Sequence, residues 1–216
     1  MHSLIRLQHW LQRVYEIDVP LNVTDFLITD HALAQALQGN ADRPACKEKL
    51  LVHESAGELA MSLFLSPEVV NVWEEVGDSS MAERANACCQ AIEGVSHFLY
   101  LAWRAGFNRE LTQLELELQA EIDKFIGLST MTGGGGFEET TTICTWLFDG
   151  VSYEPGLKAE AKARYEAANF YAGQYCRHLN ERYVRGHDSA GLTRELRRFY
   201  RQGEKGKLGM IPIQSR

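Results

Sequence analysis

Long apolar runs are missing from this chain of 216 residues. No stretch approaches the ~20 apolar residues that a membrane-crossing helix needs, so the sequence predicts no membrane association. At the N-terminus, "MHSLIRLQHWLQ" is interrupted by Arg6, Gln8 and His9. That denies it the continuous apolar core of a secretory leader. Cysteine pairs at metal-binding spacing are also missing. The five cysteines, Cys46, Cys88, Cys89, Cys144 and Cys176, are odd in number and contain no Cys-x-x-Cys. A zinc ribbon and a thioredoxin motif are therefore excluded. The expectation is buried, reduced thiols in a cytoplasmic protein.

Catalytic signatures are equally scarce. There is no Gly-x-Ser-x-Gly elbow, no Rossmann glycine fingerprint and no His-Glu-x-x-His. "GGGGFEETTT" superficially suggests a phosphate cradle but lacks the Gly-Lys-Ser/Thr ending. Glu138 and Glu139 follow it directly, and acids there compete with phosphate for the positive end of a helix. The expectation is a flexible loop over 129–136, because several glycines together carry too much backbone entropy for a regular element.

An excess of positive charge is absent too. The net charge of -7 argues against nucleic acid as the main partner. The charge is uneven, however. Arg194 to Lys207 holds four Arg and two Lys against two Glu, a local +4 that leaves -11 on the rest. Arg197, Arg198 and Arg201 lie on one side of a C-terminal helical pattern, with Phe199 and Tyr200 opposite or beside them; Leu192, Leu196, Phe199 and Tyr200 form its inner face. Such a basic helix suits an acidic partner or the protein's own body.

What is present is helical periodicity. Leu4, Leu7, Leu11 and Val14 mark a helix over 3–16. A second pattern over 24–38 is interrupted at Asp30 and stops at Gly39. Leu59, Met61, Leu63 and Leu65 alternate with other residues, a period of two, so 49–65 reads as a β-hairpin. Ser66-Pro67-Glu68 starts a short helix. Further helices follow over 82–105, 109–127, 137–149, 157–185 and 192–202, with a tail over 203–216. The fold expected is mainly α: one domain over 1–216, a bundle of six or seven helices with one appended hairpin.

The most informative stretch is "AIEGVSHFLYLAWR", Ala91 to Arg104. On a helical wheel its apolar residues cover more than half the circumference, as in a central helix packed on several sides. Glu93, His97, Tyr100 and Arg104 form one file at steps of four, three and four. On the next helix Glu115 falls near the apolar face, and Glu121 sits at its edge. A carboxylate so placed needs a partner, from Arg104, His97 or Lys124. Three readings stay open: an ion-pair network, a solvated face, or a metal or acid–base site. A carboxylate and an imidazole at i, i+4 can share a metal or relay a proton. The metal set would be Glu93, His97 and Glu121; a catalytic set would be Glu93, His97, Glu115, Tyr100 and Arg104. The sequence names no cofactor.

Two functions follow. One is a non-enzymatic binding or regulatory protein that meets another protein, or a second copy, through a helical surface carrying Arg197, Arg198, Arg201 and Tyr200. The other is a metal-dependent or acid–base enzyme with a carboxylate/His site between two central helices.

Overall fold

In the computed structural model the described residues are 2–38, 46–74, 79–131, 136–151, 153 and 156–212. Among them are nine α-helices and one three-stranded sheet, so the fold is mainly α with a strand segment appended. No helix among the described residues is long and apolar enough to cross a membrane. The chain gathers into two compact units: 2–12 with 18–103, and 13–17 with 104–212.

The first unit combines most of α1 (His2–Tyr15), the sheet, α2 (His31–Gln38), α3 (Pro67–Glu74) and the greater part of α4 (Met81–Gly106). The hairpin lies where alternation placed it: β2 (Glu48–Ser55) pairs antiparallel with β3 (Glu58–Leu65) around Ala56-Gly57, both at positive φ. The third strand departs from the sequence reading. Within the pattern over 24–38, Leu27 and Ile28 form β1, parallel to Leu63 and Phe64 of β3. The interruption at Asp30 is the start of α2, where its Oδ1 accepts from the N–H groups of Ala32 and Leu33. A side-chain cap satisfies amides that lack a helical partner. Upstream, Asn22 caps a short 3₁₀ turn, Val23–Phe26, in the same manner. Two competing caps split what periodicity reads as one helix. Ser66 starts α3 as expected, its Oγ accepting from the Val69 N–H.

Gly94 sets the spacing between α4 and the sheet. A Cβ added there would lie 2.9 Å from Leu63 Cδ1, 3.1 Å from Leu65 Cδ2 and 3.2 Å from Glu48 Cγ. Only a glycine lets the helix come this close without displacing all three. Gly94→Ala is therefore expected to destabilise the chain by about 1–3 kcal/mol through overpacking, although alanine is the better helix former. Urea denaturation checks this, and an unchanged midpoint would contradict the close approach.

The second unit is built from α5 (Gln113–Met131), α6 (Phe137–Phe148), α7 (Ala159–Leu179), α8 (Ser189–Tyr200) and α9 (Glu204–Met210), with the end of α1. α5 starts later than its apolar pattern suggests, because Thr112 caps it by accepting from the Glu115 N–H. It then continues to Met131, with Ser129 and Thr130 donating back to the carbonyls of Phe125 and Ile126. The loop expected over 129–136 is thus helix up to 131, and 132–135 fall outside the described residues. The helix over 157–185 ends as α7 at Leu179 and widens into a π-helical turn, Asn180–Val184. The buried Asn180 amide bridges to Thr140 and Thr141 of α6 there. The expected tail over 203–216 holds a helix, α9, with Lys207 and Ile211 buried; 213–216 lie outside the described residues.

Candidate metal centre

α4 delivers two of the three groups. Glu93 and His97 stand one turn apart on its face, as the periodicity implied. The third group, Glu48, was not singled out in the sequence. It opens β2 opposite Leu65, and the close approach at Gly94 brings its side chain onto α4. One ligand atom from each of Glu48, Glu93 and His97 lies within 4.8 Å of the other two. His97 Nδ1 and Glu48 Oε1 are 3.3 Å apart. His97 is buried, and the Glu48 side chain is only 10% exposed.

Two carboxylates and an imidazole nitrogen form a donor set whose negative charge a divalent cation offsets. Zinc bonds nitrogen and carboxylate oxygen at about 2.0–2.2 Å, which holds two donors about 3–4 Å apart. Mixed nitrogen and oxygen donors favour a first-row transition cation over calcium or magnesium, which prefer oxygen alone.

The other expected site residues are placed differently. Tyr100 is fully buried and stacks on Trp103, with ring centroids 6.2 Å apart. Arg104 and Glu115 belong to the second unit and pair at 3.5 Å, Arg104 Nη2 to Glu115 Oε1. Arg104 also donates to the Glu110 carbonyl at 2.7 Å. Of the partners considered for Glu115, it is Arg104 that the structure pairs with it. Glu121 belongs to the second unit, where its carboxylate meets Lys124 Nζ at 2.7 Å. The third donor grouped with Glu93 and His97 is Glu48.

The basic helix is turned inward as well. Arg197 Nε donates to the Val14 carbonyl at 3.0 Å, and Arg201 donates to the carbonyls of Tyr15 and Glu16, each at 3.1 Å. These are carbonyls at the end of α1, which have no helical partners of their own. Tyr200, read both as part of the inner face and as a partner contact, is buried on the inner face and stacks on Tyr15 at 4.0 Å. Arg198 stays exposed and pairs with Glu195 at 3.0 Å.

A second polar cluster escaped sequence reasoning altogether. Tyr15, Gln119, Asp123 and Lys207 are all buried in the second unit. Gln119 Nε2 donates to Asp123 Oδ1 at 2.9 Å and to the Tyr15 hydroxyl at 3.1 Å, and Tyr15 donates to Asp123. Burial, reinforced by the Asp123 charge, holds the Tyr15 hydroxyl far above its ordinary range and therefore protonated. No spacing rule links a residue of α1 to α5 and α9. The available signals were polar residues within apolar stripes, Gln119 and Asp123 among Leu118, Ile122 and Phe125.

None of the five cysteines forms a disulfide, and all five are among the described residues. Burial pushes the Cys88 and Cys144 thiols up to about 12 and Cys176 well above its ordinary value. Burial therefore holds these three thiols protonated at neutral pH. The chain matches no family model, no curated protein and no solved structure.

Proposed function

We propose that this protein binds one divalent first-row transition cation, of the zinc or manganese class, through Glu48, Glu93 and His97. The observation that carries the reading is the convergence of the three ligand atoms within 4.8 Å of one another, from two elements far apart in sequence. His97 supplies a ring nitrogen, the carboxylates supply charge, and Gly94 lets sheet and helix approach closely enough to share the ion. Three protein ligands leave a position of a four-coordinate ion for water or substrate, where the ion acts as a Lewis acid. Metal-assisted acid–base chemistry is the activity class consistent with this donor set.

Partner binding through α8 has less support. Arg197 and Arg201 already serve the end of α1, and Tyr200 is buried, which leaves Arg198 of the four groups. A cytoplasmic location is in keeping with five cysteines outside disulfides.

Isothermal titration of metal-stripped protein with Zn²⁺ tests the proposal. One equivalent should bind, and Mg²⁺ should not compete at equal concentration. Glu48→Gln should weaken binding at least about tenfold. If the native chain takes up no Zn²⁺, the proposal falls.

A further inference from the structure

Helix α9 is short, seven residues from Glu204 to Met210, and lies near the end of the described chain. A helix of this length does not hold itself together in water, so its docking decides whether it forms. Apolar anchoring is slight: Ile211, just beyond it, is buried, while Leu208 is only half-buried. The deepest group on α9 is instead a lysine. Lys207 is 0% exposed. Its Nζ donates to Gln119 Oε1 and sits 4.4 Å from the Phe199 ring centroid and 5.8 Å from that of Tyr200.

The seat is built to receive a donor. Both Gln119 Nε2 hydrogens are taken by Asp123 and Tyr15, which fixes its Oε1 toward Lys207. At the start of α9 the Glu204 N–H donates to Glu115 Oε2 at 3.0 Å, and Thr112 donates to the Glu204 carboxylate. Gly203 faces the Arg104–Glu115 pair. α9 is thus fastened mainly by polar contacts, around one inserted amine.

We propose that α9 is a pH-operated latch, with the Lys207 side chain as the bolt that seats it in the second unit and that acid loosens. The charged and titratable groups facing Lys207 are Glu115 and Asp123 of α5, Arg104 of α4 and Tyr200 of α8, with Tyr15 of α1 behind Asp123. Burial lowers the seated amine to about 7, against an ordinary lysine value of 10.5; the two carboxylates oppose that shift and Arg104 adds to it. The unseated amine therefore holds a proton that the seated one has given up. Below about pH 7 both forms are protonated and the penalty for seating is complete. Between 7 and 10.5 the penalty is released as pH rises, so docking tightens with pH, by at most about tenfold per unit for one proton. Unseating strips Gln119 Oε1 and Glu115 Oε2 of their donors from α9.

Hydrogen exchange of the full chain, read by mass spectrometry and corrected for intrinsic rates, tests the latch. The readout is protection of the α9 amides relative to those of α5, which cancels global stability. That ratio should rise about tenfold or more between pH 7.5 and 9. In Lys207→Met, which fills the seat without a titrating group, it should stay flat over the same interval. A flat ratio in the native chain overturns the proposal. So does a Lys207→Met variant that keeps the native slope, whatever its absolute stability.

Discussion

Glu115→Ala is expected to lower stability by about 3–5 kcal/mol, the scale seen when one partner of a buried ion pair is removed. The Glu115 and Arg104 side chains are 2% and 7% exposed, so the guanidinium would lose its carboxylate inside the protein. The Glu110 carbonyl at 2.7 Å stays as an acceptor but carries no charge. The same substitution removes the acceptor of the Glu204 N–H and so loosens α9. Adding Arg104→Met to Glu115→Leu should recover most of the loss, because the buried charge leaves with its partner. Urea denaturation of Glu115→Ala, Glu115→Leu and the Glu115→Leu/Arg104→Met double variant measures this. A Glu115→Ala loss below about 1 kcal/mol would mean that water reaches Arg104.

His97→Ala is expected to reduce Zn²⁺ affinity at least about a hundredfold, toward the upper end of what even outer-shell changes cost. It removes the single nitrogen of the donor set and leaves two carboxylates, a pair that no longer prefers a transition cation over magnesium. Competition titration with a chromogenic chelator measures the change. His53→Ala serves as the control: that histidine is exposed on β2, and its loss should leave affinity unchanged. Binding also requires the neutral imidazole, so native affinity should fall as the solution is acidified.

The legible part of this fold is the part that local physics controls. α4 was legible because its apolar residues recur at helical spacing with few competing caps, and the hairpin because its alternation is nearly unbroken. β1 was not, since two residues in a helical pattern become a strand only by pairing with Leu63 and Phe64. α9 was hidden for a related reason: its buried residue is a lysine, which hydrophobic periodicity counts as solvent-facing.

The site divides along the same line. Glu93 and His97 share one helix and could be paired by counting residues. Glu48 comes from 45 residues earlier than Glu93 and joins them through tertiary packing alone. One clue was available: Gly94 in mid-helix, which marks a close backbone approach. Glu115 was rightly expected to need a partner, and Arg104 was among those considered. Lys207, Gln119 and Asp123 needed the three-dimensional arrangement, because their residue types are ordinary on any solvated helix face.

Titration of metal-stripped protein with Co²⁺, followed by visible absorption, probes the proposed metal centre most directly, since the bands report both stoichiometry and ligand field. The spectrum should saturate at one equivalent, show a nitrogen- and oxygen-ligated ion, and be bleached by Zn²⁺. Absorption that never departs from that of the aqueous ion, or that persists unchanged in a Glu48→Gln/Glu93→Gln/His97→Asn triple variant, would contradict the assignment.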